Sequence, residues 1–324
     1  MNEWNIIGHD WAVRRLRLQV EKGHIAQSHL FVGPPSVGKA ALARVLAAAV
    51  LAHGARDPAR SAMLVNKLKH PDLMWVKAEN GSIKVEQIRE VLHNLTLTPV
   101  EGPYRIVVID DAHLATDSGK NAVLKTLEEP NPTSIIIMIA PSTDVMLPTI
   151  TSRCQVLNLR PVSRQTIMQS LLVKGVNAQQ ADLVARLARG CPGWALRAVA
   201  DDDLMAAHSQ YIADLETLLT ANRTRRFEYS EQLSRADDTE IQTVLEHWLL
   251  YWMDVAREIK TAQPHDDLLL NVDHAQMIAH IASRVALGEV VRQVRGLMDM
   301  LRYLQQNVSM RVAIDVFLLQ LPVV

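Results

Sequence analysis

Leu30-Phe31-Val32-Gly33-Pro34-Pro35-Ser36-Val37-Gly38-Lys39-Ala40 reads as a short apolar strand, a glycine-bounded loop and the start of a helix. That helix continues to about Leu51 almost entirely in Ala, Val and Leu. The spacing Gly33-x-x-x-x-Gly38-Lys39 is that of a phosphate-binding loop. Glycines let backbone N–H groups curl around an anion without Cβ interference, and the helix N-terminus adds unsatisfied donors and partial positive charge. Lys39 would bring a point charge to the β- and γ-phosphates. Ala40 departs from the pattern, because a Ser or Thr hydroxyl at that position ligates Mg²⁺. Phosphate binding by a cradle made mostly of backbone can survive this change, whereas hydrolysis loses a metal ligand whose place water could take. A turn that merely joins strand to helix is the plain alternative; the full spacing and the strand–loop–helix setting favour a nucleotide-type loop, active or vestigial.

Working outward, apolar runs alternate with helical patterns on both sides of this loop. Trp4 to about Lys22 reads as a short extended piece, Ile6-Ile7-Gly8-His9, and an amphipathic helix with Val13, Leu16 and Val20 on one face. Arg56 to Lys69 is polar and mixed; His70-Pro71-Asp72 turns into the strand Leu73–Val76, and Asn80-Gly81 signals a turn. Val85, Ile88, Leu92 and Leu95 share a helix face. Arg105–Ile109 is a strand ending in Asp110-Asp111, and a helix from about Asp117 to Glu129 is stopped by Pro130. Ser134–Ala140 and Gln155–Leu159 complete five strands. Continuous apolar strands alternating with helices predict a parallel sheet covered on both faces. After Arg160-Pro161 only helical periodicity remains, broken at Gly175, Gly190–Gly193, Asp201–Asp203, Gln263-Pro264 and Gly288.

The 324 residues, 48% of them apolar, are enough for two or three domains with a large core. Thirty-four Lys and Arg balance 35 Asp and Glu, for a net charge of −1. A chain that grips DNA alone carries a basic excess or a dense basic patch; here nucleic acid would be touched weakly or within an assembly. No signal-peptide pattern precedes Ile6, and no apolar run is long enough to cross a bilayer. With only Cys154 and Cys191 present, the expectation is a cytoplasmic protein without disulfides. No pairing of cysteines or histidines has zinc spacing. Cys154 reads as a small buried hydrophobe.

Asp110-Asp111 at a strand end suits the acidic pair of a phosphate-loop NTPase, in which the first acid holds Mg²⁺ through water and the second polarises the attacking water. Asp111 falls one methylene short of the usual Glu. A strand ending in a polar turn would look the same in isolation. Ser152-Arg153-Cys154, between the fourth and fifth strands, is locally an ordinary loop arginine.

Several segments, in order, carry a family resemblance: Gly33–Lys39, His70-Pro71-Asp72, Ile83-Lys84-Val85, Ile109-Asp110-Asp111-Ala112-His113, Asn121-Ala122-Val123-Leu124-Lys125-Thr126-Leu127-Glu128-Glu129-Pro130, and Ser152-Arg153-Cys154. Together they resemble the AAA+ subunits of the bacterial DNA polymerase III clamp loader. The likeness covers the first two hundred residues and loosens in the final third, where Asn307 to Leu321 is similar to the family's closing helix. It implies a P-loop AAA+ domain with a RecA-like parallel sheet over residues 1–160, a small helical lid over 161–206 and an all-α collar for oligomerisation over 207–324.

Departures place the chain within that family. ATP-hydrolysing gamma/tau subunits carry Lys-Thr or Lys-Ser, an Asp-Glu pair, a zinc-binding cysteine cluster and a nucleotide-sensing lid arginine. Here stand Ala40, Asp111, no cysteine in 51–70, and Gly193 near the lid position. Gly190-Cys191-Pro192-Gly193-Trp194-Ala195 is similar to the delta-prime type, largely a stator. The resemblance then implies that Arg153 is an arginine finger reaching a neighbour's ATP site, and that Asp110 and Asp111 are a degenerate acidic pair. It implies that Gly33, Pro34, Pro35, Ser36, Val37, Gly38, Lys39 and Ala40 form a weak or vestigial ATP/ADP site, with Mg²⁺ only alongside nucleotide and no zinc. The implied partners are gamma/tau and delta subunits, with the sliding clamp and primed DNA reached through the complex, and no membrane. The alternatives are a gamma/tau-like or other AAA+ ATPase, and a freestanding nucleotide-binding module outside replication.

Overall fold

The computed structural model describes residues 4–79, 81–261, 269–304, 306 and 309–322. Asn80 of the expected turn, the Gln263-Pro264 break and Asn307 of the expected closing segment lie outside them. The chain divides into two compact units, Met1–Val173 with Ala188–Trp194, and Lys174–Leu187 with Ala195–Val324.

The first unit runs α1 (Asp10–Glu21), β1 (Ser28–Val32), α2 (Lys39–Ala52), α3 (Pro58–Asn66), β2 (Leu73–Val76), α4 (Val85–Leu95), β3 (Arg105–Ile109), α5 (Asp117–Glu128), β4 (Ser134–Ala140), α6 (Pro148–Thr151), β5 (Gln155–Asn158) and α7 (Arg164–Val173). The strands pair in the order β2-β3-β4-β1-β5, every neighbour parallel. Leu30 of β1 lies opposite Met138 of β4 and Val156 of β5. Alternate strand residues feed two cores. Phe31, Val108, Ile137 and Leu157 pack with Ala12, Leu16, Leu42 and Val65 of α1 to α3. Leu30, Val107, Ile136 and Met138 pack with Ile88, Leu92, Val123 and Leu127 of α4 and α5. Both faces are therefore covered, as the unbroken isoleucine run of β4 requires.

Local corrections have clear causes. Ile6-Ile7-Gly8-His9 does not stay extended: Gly8 and His9 both turn left-handed, with φ of 71° and 58°. His9 leads into α1 with its ring nitrogen Nε2 bonded to the Val37 carbonyl at 3.0 Å. The polar stretch Arg56 to Lys69 contains α3, started by the Asp57 carboxylate accepting from Arg60 N–H and by Pro58 in the first turn. Gly288 does not break a helix; it is the second residue of the helix Leu287–Tyr303, and the turn falls just before it.

The His70-Pro71-Asp72 motif proves to be a clasp. His70 Nδ1 accepts from Asp72 N–H at 3.1 Å, leaving its Nε2–H for the Ser61 hydroxyl. The fully buried Asp72 carboxylate accepts from the N–H groups of Val100, Glu101 and Gly102 at 2.7, 2.8 and 3.1 Å. It thereby sets the loop that delivers β3.

The remaining helices are α8 (Ala178–Leu187), α9 (Pro192–Ala200), α10 (Asp202–Thr220), α11 (Arg223–Leu233), α12 (Asp238–Lys260), α13 (Ala275–Arg284), α14 (Leu287–Tyr303) and α15 (Met310–Leu319). The core of the second unit is built on Trp248, Tyr251 and Trp252 of α12. Trp248 stacks between Tyr229 and Phe317 and donates Nε1–H to the Tyr211 carbonyl. Arg226 is almost entirely buried. Its guanidinium donates to the carbonyls of Leu218 and Leu219 at the end of α10 and of Leu318 and Leu321 at the end of α15. It supplies positive charge and donors where helix C-termini lack them.

Replacing Asp72 by Ala would leave three backbone donors without their carboxylate acceptor. We expect Asp72→Ala to lose ~3 kcal/mol in urea unfolding, and Asp72→Asn less, since its carbonyl oxygen still accepts. Equal stability of the wild type and Asp72→Ala would show that the clasp contributes nothing.

Candidate functional site

The loop after β1 lies at the C-terminal edge of the parallel sheet, the edge at which open α/β folds place ligands. A Cβ on Gly33 would fall 2.2 Å from the Leu159 carbonyl oxygen, so only glycine passes there, at φ 149°. Ser36 and Gly38 also have positive φ, 60° and 118°, the kind of backbone setting from which anion-binding concavities are built. Gly38 N-caps α2 without any side chain.

The loop's outward carbonyls are held by donors from the chain itself. Lys39 is nearly buried, and its ammonium donates to the carbonyls of Gly33 at 2.5 Å and Pro34 at 2.8 Å. The Gly193 N–H donates to Ser36 O at 2.8 Å, and His9 bonds Val37 O. Burial pushes the Lys39 pKa down, and the nearby Asp111 and Asp110 carboxylates pull it partly back. The backbone can thus cradle an anion, but Lys39 would have to exchange carbonyl partners to meet it. Ala40 offers a metal nothing, and Pro35 is exposed at the loop's tip.

The acidic pair sits at the end of β3. Asp110 N–H bonds Val76 O, and its Oδ2 takes the Trp75 indole N–H at 3.4 Å and faces Lys77 Nζ at 3.8 Å. Asp111 is exposed and left-handed at φ 55°, opening a 3₁₀ turn over Ala112–Leu114. Among the described residues no group of three His, Cys, Asp or Glu is placed to hold a metal ion.

Gly193 has its own reason to be glycine. A Cβ there would lie 2.8 Å from Ser36 O, so any side chain at this position would press on the loop backbone.

Arg153 follows α6, its side chain a little over a third exposed. Its NH1 donates to Thr149 O at 3.0 Å and its NH2 pairs with Glu128 Oε1 at 3.0 Å. Beside it, burial pushes the Cys154 thiol up to about 12, which keeps it protonated and unreactive. The structure therefore gathers Gly33–Lys39, Asp110, Asp111 and Gly193 at one sheet edge. Arg153 is tied instead to α5 and α6. Sequence reasoning missed His9, Trp75 and Glu128. No periodicity marks His9 or Trp75, since each is defined by a contact with a segment distant in the chain. Glu128 was visible only as part of a motif string.

A family model described as DNA polymerase III, delta subunit, matches residues 8–163. The DNA polymerase III subunit delta' of Bacillus subtilis is 26% identical over 90% of this chain and 89% of its own length. The delta' subunit of Pseudomonas aeruginosa is 32% identical over 40% of this chain and 42% of its own. The gamma subunit of Buchnera aphidicola is 28% identical over 52% of this chain, which spans 47% of that relative.

The close approach at Gly193 makes a sharp prediction. Gly193→Ala should lower the thermal midpoint by the equivalent of ~1–3 kcal/mol through overpacking, and Gly193→Arg should do so at least as much without conferring ATPase. Unchanged midpoints for both would mean the approach relaxes freely.

Proposed function

From its kinship with the delta-prime subunits of DNA polymerase III, we propose that this chain is the stator-type subunit of a clamp loader. It helps place the sliding clamp on primed DNA during replication, alongside gamma/tau and delta subunits in the cytoplasm. In this reading residues 207–324 act as the oligomerising collar. No described helix is long and apolar enough to cross a membrane. The observation that carries the reading is an asymmetry. The chain's own phosphate loop is occupied by its own donors, Lys39 on Gly33 and Pro34 and Gly193 on Ser36, while the Arg153 guanidinium reaches the surface.

Two roles follow. The loop's backbone fits a phosphate group, with Lys39 as its charge partner, so ATP or ADP binds weakly as a structural ligand and Mg²⁺ comes only with it. Asp110 is engaged by Trp75 and Lys77 and Asp111 is short by a methylene, so water is poorly positioned for attack. Arg153 acts on a neighbour's nucleotide instead, its planar fork matching the oxygens of a γ-phosphate that gains charge during transfer.

The isolated chain should therefore turn over ATP negligibly. Calorimetric titration with ATP·Mg²⁺ should give weak binding that Lys39→Ala abolishes; equal binding by both would remove the loop as the site. In a loader reconstituted with gamma/tau and delta, Arg153→Ala should assemble normally yet lower clamp- and DNA-stimulated ATPase. The bordering site alone should lose ~10³-fold, giving a partial loss overall. Arg153→Lys should rescue poorly. Turnover by the isolated chain on a gamma/tau scale would make it a motor, and wild-type loading by Arg153→Ala would reduce Arg153 to a loop charge.

A further inference from the structure

The terminal nitrogens of Arg153 are both committed within its own subunit. NH1 donates to Thr149 O on α6, and NH2 meets the Glu128 carboxylate, each at 3.0 Å. These are the two donors that would present a fork to a phosphate. A guanidinium so engaged cannot grip a neighbour's phosphate without giving up at least one partner, and the partner of matching chemistry is the carboxylate.

Glu128 is poorly placed for any local purpose. It is the last residue of α5, followed by Glu129 at the C-cap, where a negative charge opposes the helix dipole. Its side chain is half exposed, so it fills no core position. The contact shown for it is the pair with Arg153. Two exposed partners make a weak ion pair. A phosphate offers more charge and a bidentate face, and would displace the carboxylate readily.

We propose that Glu128 is a positioning residue that holds Arg153 as a stand-in for phosphate, restraining the arginine until a neighbour's nucleotide takes the carboxylate's place. This rests on the trans role of Arg153 proposed above. Glu128 thereby sets how far the loader's ATPase is silent before clamp and DNA arrive. Exchange of one anion for another keeps the guanidinium paired throughout and forms no covalent bond.

The test uses the reconstituted loader carrying Glu128→Gln, Glu128→Asp, Arg153→Ala or Glu128→Gln with Arg153→Ala. Glu128→Gln should raise basal ATPase, without clamp or DNA, by about 2- to 5-fold, the scale set by an exposed pair. The rise should appear in kcat, with nucleotide affinity and the thermal midpoint of the free subunit unchanged. Glu128→Asp keeps the charge and should restore most of the restraint. The double variant should match Arg153→Ala alone. If Glu128→Gln leaves basal turnover unchanged while Arg153→Ala lowers stimulated turnover, the restraint is wrong and the trans finger stands. If Glu128→Gln raises turnover equally in the Arg153→Ala background, its effect does not run through Arg153 and the proposal falls. If Arg153→Ala changes nothing, both readings fall together.

Discussion

Strand β1 has no polar way out of the sheet. All five of its residues are buried, with β4 on one side and β5 on the other. That double pairing carries Gly33 to a fixed point against the backbone of Leu159 and Pro141, to which it is bonded or pressed. Everything at the sheet's C-terminal edge is referred to this point. The loop's path, the position of Lys39 at the head of α2 and the approach of Gly193 follow from it. Parallel strands buried on both faces cannot slip by one residue without moving their whole apolar set into the wrong core. The site inherits its rigidity from that register.

Within this frame, the Gly33–Lys39 loop is kept in shape by donors from the chain itself. Backbone carbonyls at Gly33, Pro34, Ser36 and Val37 have donors from Lys39, Gly193 and His9. A loop fastened in this way needs no ligand to hold its form, which suits a subunit whose proposed work is structural. Arg153 is the counterweight. It is weakly tethered and surface-facing, and its usefulness in the proposed reading lies in a neighbour's site.

The helical unit relies on buried charge of another kind. Arg226 draws the ends of α10 and α15 together through four carbonyls. Asp254, fully buried in α12, accepts from the N–H groups of Leu270 and Asn271, from the Asn271 amide and from Arg257. Each charge is matched by several donors or acceptors, the condition under which burial is tolerated and removal of one partner is costly. Such groups specify one packing of helices whose apolar faces alone would accept several.

How much was legible beforehand follows from the range of the interactions. The five strands, the Gly33–Lys39 loop and the more apolar of the helices between them could be read from the chain because apolar periodicity, β-branched runs and glycine spacing are local; α3, in a polar stretch, could not. The order of Asn121–Pro130 and Ser152–Cys154 carried the resemblance to clamp-loader subunits for the same reason. What pairs across the sheet left no such trace. Nothing in the neighbours of His9, Trp75 or Gly193 announces a bond to Val37, a hold on Asp110 or a contact with Ser36. The clasp under His70-Pro71-Asp72 appeared in sequence only as a motif without a mechanism. Residues 6–9 were read as extended because their composition is that of a strand, yet Gly8 and His9 turn left-handed and His9 bonds to the loop. Local patterns are set by each residue's own backbone and its near neighbours, and the sequence determines them by itself. The partners of His9, Asp72 and Gly193 exist only once segments distant in the chain are brought within hydrogen-bond reach, and that was decided by tertiary packing.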